Sequence, residues 1–207
     1  MNDELDSATQ RLIDEARIIT GRDLRAPSLL PGWSRAHVLA HLARGADAMR
    51  NLLIGARAGQ DRPAYASAGA RAADIDMSAA AGARELVEDL AASAMALRTL
   101  ARQLPDEAWR YRLRVLDGSR FPASQLLTRR LAEVELHHCD LGIGYGHDQW
   151  SAAFAAMELD EPMRSQRAER LGYRQPESVR AKSMARKIPP YRPGQPFPGT
   201  WIGRRGA

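Results

Sequence analysis

Four of the five histidines in this 207-residue chain fall in two short stretches that can each form a helix, and this constrains the fold more than any other feature. Residues 131–146 read LAEVELHHCDLGIGYG. Glu133 and His137, four apart, share one helix face, a turn from one another. Residues 31–53, PGWSRAHVLAHLARGADAMRNLL, place His37 and His41 at the same spacing. Imidazoles and a carboxylate on two helices suit a divalent metal held between them. Catalytic zinc commonly takes three such donors and keeps one position open. His41, Glu133 and His137 would supply two nitrogens and one oxygen, leaving that position for water or a substrate thiol. The plainer alternative is that these are satisfied or surface polar residues, because a single HxxxH or ExxxH pair recurs by chance.

Neighbouring residues take lesser roles. His37 could be a fourth ligand, but four protein donors would close the site and make the metal structural. His138 projects about 100° away from His137. Asp140 could orient an imidazole from behind, or bond locally near the helix end. Cys139 reads as a core thiol and Trp33 as a core anchor.

The rest of the chain supplies helices to carry these stretches. Leu5, Ala8, Leu12, Ala16 and Ile19 recur at steps of three and four, an amphipathic first helix over residues 4–20 that Gly21 ends. Ser34 is placed to cap a second helix to about Ala58. Residues 59–73 (GQDRPAYASAGARAA) form a long polar crossover, and Ser78 is placed to cap a third helix to Leu104, before Pro105. Residues 109–115 alternate like a strand, Asp117-Gly118 marks a turn, and Pro122 opens a fourth helix running to about Ile143. The pattern predicts a mainly α fold, a four-helix bundle with long crossover connections, followed by an irregular basic tail.

Charge separates the two parts. Residues 1–150 carry 19 Arg, no Lys and 20 acidic residues; residues 151–207 carry 11 basic and 5 acidic residues. The bundle therefore has no electrostatic footprint for nucleic acid, and the tail's aromatics (Tyr173, Tyr191, Phe197, Trp201) are scattered. We expect two parts: a metal-binding bundle over 1–150 and a short atypical tail over 151–207. In the tail, 151–174 could form one or two short helices, while 187–207 reads as extended, irregular chain. A truncated or frame-shifted gene and a divergent tail both account for the change. No apolar run approaches the roughly 20 residues that span a bilayer, and the acidic N-terminus is not a secretory signal. The single cysteine excludes an intrachain disulfide and fits a cytoplasmic setting.

PGWSRAHVLAHLARGADAMRNLL, then ARAGQDRPAYASAGARAADID, then LAEVELHHCDLGIGYG resemble the mycothiol-dependent maleylpyruvate isomerase family, part of the wider DinB/YfiT-like metalloprotein bundles. The resemblance covers about residues 5–150. It places the family's zinc ligands on His41, Glu133 and His137. It implies a zinc- and mycothiol-dependent cis–trans isomerase converting maleylpyruvate to fumarylpyruvate, with a small-molecule substrate and a low-molecular-weight thiol and without nucleic-acid or membrane partners. The thiolate would add to the double bond, the resulting single bond would rotate, and elimination would return the thiol. Arg44 and Arg130, each one turn from a ligand, are the candidates for the substrate's carboxylates. The chain departs from the family twice. Gly45 stands where members often have Asn, and the family's C-terminal α/β domain is not recognisable after Trp150. A mycothiol S-transferase sharing the zinc and thiol, or a catalytically silent metal-binding bundle, are the alternatives.

Overall fold

The computed structural model describes residues 2–172. Its elements are α1 (Asn2–Arg17), α2 (Gly21–Leu24), α3 (Arg35–Ala58), α4 (Ala68–Ala79), α5 (Ala83–Arg102), a hairpin of β1 (Arg112–Arg114) and β2 (Arg120–Pro122), α6 (Leu126–Asp140), α7 (Ala152–Ala155) and α8 (Met163–Leu171). The four longest helices pack in a ring: α1 against α5 and α6, and α3 against those same two. The short α4 lies on α3, and α8 on α6. The fold is mainly helical, as the periodicity predicts.

Local chemistry sets the ends of α3. The Ser34 hydroxyl accepts from the His37 amide, and His37 Nδ1 in turn accepts from the Ser34 amide at 3.4 Å. This is a capping box with an imidazole where Glu or Gln is usual. Gly59, at φ 65°, takes the left-handed conformation that closes the helix. At the other end of the bundle, Arg35 donates to the carbonyls of Leu141 (2.8 Å) and Gly142 (3.1 Å), satisfying acceptors that the end of α6 would leave open.

The structure revises several expected boundaries. Gly21 begins α2 rather than simply ending a helix, because Thr20 accepts from the Asp23 amide as its cap. The crossover contains α4, capped by Ser67, whose hydroxyl accepts from the Ala70 amide. Ser78 lies inside α4, and α5 starts after Gly82. The buried stripe of α4 is only Arg71, Ile75 and Ala79, so its sequence shows little apolar periodicity. Pro122 ends β2, and a 3-10 turn separates it from α6, which stops at Asp140. Leu113 and Phe121, paired across the hairpin, turn their side chains into the core.

Residues 151–172 are not a detached appendage. Phe154, Met163 and Arg170 are buried. The extended chain expected over 187–207, and the tail aromatics named above, lie outside the described residues. Among the described residues no helix is long and apolar enough to cross a membrane.

Two apolar clusters share the core, one around Leu12, Leu39, Leu90 and Val134, the other around Met49, Leu53, Leu97 and Phe121. Along α3 the first reaches Ala43 and the second starts at Ala46; along α6 the second stops at Leu126 and the first resumes at Leu131. Gly45 and Arg130 occupy the seam, and this is where the polar residues gather.

Lower on α3, Gly55 has the Gln60 carbonyl and the Arg62 Cβ 2.7 Å from where a Cβ would stand. Helix propensity alone would have Gly55→Ala stabilise the protein by about 1 kcal/mol. We expect the opposite sign, a loss of about 1–3 kcal/mol from overpacking against backbone, measured by urea unfolding.

Candidate functional site

Helix α6 presents Arg130, Glu133, His137 and Asp140 at steps of three, four and three, which places all four on one face. All four are buried, and opposite them α3 contributes His41, also buried. His41 Nε2 lies 3.2 Å from His137 Nε2 and 3.3 Å from Glu133 Oε1. The two imidazoles meet edge to face, and Trp33 packs against the His41 ring. Gly45 is what allows α6 so close: a Cβ there would stand 3.1 Å from both Glu133 carboxylate oxygens and 3.3 Å from Arg130 Nη1. The family's more frequent Asn at this position would therefore bear directly on the Glu133–Arg130 pair.

Each group in this face is held from behind. Arg130 Nη1 donates to Glu133 Oε2 at 2.8 Å, leaving Oε1 toward His41. His137 Nδ1 donates to Asp140 Oδ2 at 2.8 Å. Asp140 in turn accepts from Arg170 of α8, Nη2 at 2.7 Å and Nε at 3.1 Å, a two-pronged pair in which both side chains are buried. Burial alone would raise the Asp140 pKa, but the His137 hydrogen bond and the Arg170 charge together hold it below the usual carboxylate range. The carboxylate fixes His137 with its proton on Nδ1 and its lone pair on Nε2, the orientation that metal-binding histidines use.

His41 is held in the opposite sense. Arg71 of α4 lies 3.1 Å from His41 Nδ1, and a guanidinium can only donate, so Nδ1 is the acceptor and the ring proton sits on Nε2. Burial first, then His137, Arg71 and Arg130, push the His41 pKa well below its ordinary value, so the ring is neutral. Arg71 also lies over the Tyr65 ring at 5.7 Å, and burial raises the Tyr65 phenol to about 12.

The donor set suits zinc in type, and two donors each about 2.1 Å from a tetrahedral zinc stand about 3.4 Å apart, close to both His41 contacts. However, among the described residues no group of three or more His, Cys, Asp or Glu side chains is arranged to hold an ion as it stands. A metal would also need the His41 Nε2 lone pair, and here Arg71, donating to Nδ1, keeps a proton on Nε2.

The remaining sequence candidates sit elsewhere. Arg44 donates to both Asp89 oxygens at 2.6 Å and lies 3.2 Å from Asp47, facing α5. His37 is the capping residue of α3 and lies 3.6 Å from Asp76. His138 stacks on Tyr145 and meets Glu15 at 3.0 Å. Cys139 is buried, and burial pushes its thiol up to about 12. Sequence reasoning missed Arg71 and Arg170. Arg71 lay in a stretch without apolar periodicity, and Arg170 in a segment read as tail; only the fold brings Arg71 to His41 and Arg170 to Asp140.

The Asp140–Arg170 pair is testable by itself. We expect Asp140→Asn to cost about 3–5 kcal/mol, because it removes the buried carboxylate from the Arg170 charge and leaves it only the more exposed Glu169 as counter-ion. Adding Arg170→Met should recover a large part of that loss, a coupling that a double-mutant cycle on urea unfolding reads directly.

A family model described as the mycothiol maleylpyruvate isomerase N-terminal domain matches residues 5–142. A crystal structure of the mycothiol-dependent maleylpyruvate isomerase superposes with a TM-score of 0.70 at 27% identity, covering 74% of this chain and 64% of that one. A histidine-to-alanine mutant of that enzyme gives the same TM-score at 26% identity. This chain thus matches less than two thirds of the solved enzyme's length. No curated protein sequence matches the chain. The matched region contains His41, Glu133, His137 and all of the ring but the first three residues of α1, and on that match the chain belongs to the mycothiol maleylpyruvate isomerase N-terminal domain family.

Proposed function

We propose that this protein is a zinc-binding, mycothiol-dependent cis–trans isomerase of maleylpyruvate, with His41, Glu133 and His137 as the metal ligands and a cytoplasmic setting. The observation that carries the reading is the convergence of these three side chains, with His41 Nε2 3.2 Å from His137 and 3.3 Å from Glu133, inside the region matched to the family. The solved enzyme named above, at 27% identity, lends it the substrate and the thiol.

When bound, zinc supplies the charge that keeps a coordinated mycothiol thiol ionised near neutral pH, ready for reversible addition to the substrate's double bond. The chain's own residues prepare this. Asp140, held by Arg170, keeps the His137 proton on Nδ1 and its Nε2 lone pair free. Arg130 occupies one oxygen of Glu133 and leaves the other toward His41. The dry surroundings strengthen every charge interaction there.

The carboxylate-binding role that helical position gave to Arg44 and Arg130 passes in this proposal to Arg71. Arg44 is engaged by Asp89 and Arg130 by Glu133. Arg71 loses its acceptor once His41 Nδ1 carries a proton, so the change that lets His41 bind metal also releases a guanidinium beside it for a substrate carboxylate.

The test is metal content of the full chain, prepared without chelator, beside His41→Ala and Glu133→Ala, followed by turnover of maleylpyruvate with and without mycothiol. We expect about one zinc per chain in the wild type, lost in both variants, and thiol-dependent turnover. Zinc with turnover of electrophilic xenobiotics alone would point to an S-transferase. No metal in a folded, zinc-reconstituted sample would overturn the proposal. For Arg71→Gln we expect zinc affinity to rise by about tenfold while KM for maleylpyruvate also rises, since the variant removes both the competing donor and the anion site. Lower zinc affinity in that variant would refute the role given to Arg71.

A further inference from the structure

The centre is closed as it stands: His41, Glu133 and His137 are 3%, 3% and 5% exposed. A cation, a thiol or a substrate reaches them only after a covering element moves. Helices α3 and α6 carry the three residues and bury most of their length, so parting them would open the core. Helix α4 is held differently. It lies on α3 and buries three of its twelve residues, Arg71, Ile75 and Ala79. Both flanks of this segment are fixed. On the N-terminal side Asp61 accepts from Tyr111 Oη and Arg120 Nη1, each at 2.9 Å, and Ala64 and Tyr65 are buried in the second cluster. On the C-terminal side Arg25 donates to the carbonyls of Ala79, Ala80 and Ala81 at 2.8, 3.0 and 3.1 Å. Between these anchors the hold is slight. Residues 66–69 and Met77 are exposed. Holding the stretch to α3 are the buried side chain of Ile75, the 3.1 Å contact of Arg71 with His41 Nδ1 and the 3.6 Å pairing of Asp76 with His37. A short segment with few buried contacts opens locally at far less cost than the fold as a whole.

We propose that residues 66–78 form a strap over the histidine pair, fixed at 61–65 and at 79–81, whose local opening is the entrance to the centre. Arg71 is its latch, because the contact with His41 is made only while the strap is down. Lifting the strap withdraws Arg71 and bares the Nδ1 edge of His41. One motion thus removes the covering helix and frees the ring nitrogen that Arg71 occupies. That the entrants are a divalent cation and a thiol rests on the function proposed above; the opening itself does not.

The experiment uses the full-length, metal-free chain and reads opening in two ways. Hydrogen exchange followed by mass spectrometry reads the amides of residues 71–78. Diethyl pyrocarbonate, which acylates neutral imidazole, reads the exposure of His41, with half-buried His147 as internal reference. We expect the strap amides to exchange at least about tenfold faster than those of residues 43–53 in α3. Strap exchange and His41 acylation should both be nearly insensitive to urea well below the unfolding midpoint, because little surface is exposed. Ile75→Ala should speed both by at least about tenfold. Gly69→Ala, at an exposed helix position with room for the methyl group, should slow both by about threefold. Circular dichroism checks that the variants fold. Strap amides as protected as those of α3, His41 acylation that climbs with urea in step with global unfolding, or acylation unchanged in Ile75→Ala would each overturn the proposal. A centre that opens in this way yet takes no zinc would support the strap and overturn the metal reading instead.

Discussion

A continuous run of buried polar groups crosses the middle of this bundle, and the packing around it is arranged to satisfy it. From one end to the other it reads Arg130, Glu133, His41, His137, Asp140, Arg170, each contact between 2.7 and 3.3 Å. Cations stand at both ends, carboxylates next, and two imidazoles at the centre. Taking ions out of water costs several kcal/mol apiece, so the run is stable only when every member keeps its partner. That requirement reaches into the helices. It accounts for a glycine in the middle of the longest helix, since Gly45 gives Glu133 and Arg130 room to meet. It also accounts for the burial of α8 against α6, since Arg170 must reach Asp140.

The same run explains which features could be read from the sequence. Arg130, Glu133, His137 and Asp140 belong to one helix, and their spacing of three, four and three is visible in the primary structure. His41 could be paired with them because a second histidine-bearing helix was visible too. The four bundle helices were equally legible, because each buries an apolar stripe with helical period. One strand and the Asp117-Gly118 turn were legible from alternation, although the strand is confined to Arg112–Arg114; its partner β2 was not, because Pro122 read as a helix start.

Long-range partners were hidden. Arg71 and Arg170 are 30 residues from the groups they contact, and nothing local distinguishes them from the other arginines. α4 was hidden for a related reason: one of its three buried positions is that same arginine, so burial there leaves no apolar mark. Cap chemistry misled at Ser78, which precedes an apolar run yet lies inside α4, while α5 begins after Gly82 with no side-chain cap. Arg170 also lies beyond residue 142, where the family model ends, so a residue that the family match does not cover supports one that it does.

The two central histidines are chemically unlike, and the difference bears on what the centre can exchange. A carboxylate behind His137 leaves a lone pair on Nε2; a guanidinium facing His41 leaves a proton there. The 3.2 Å contact between those two nitrogens is therefore a hydrogen bond donated by His41, with Glu133 Oε1 at 3.3 Å as a second acceptor for the same proton. Under the proposed metal site, a proton and a metal cation would compete for one position bounded by the same three side chains. Replacing the proton with an ion reverses the His41 tautomer, which turns the contact with Arg71 from attraction to repulsion. The His41 tautomer and the position of Arg71 are thus one equilibrium, and the proposed metal binding would draw on it through the ring nitrogen that carries the proton.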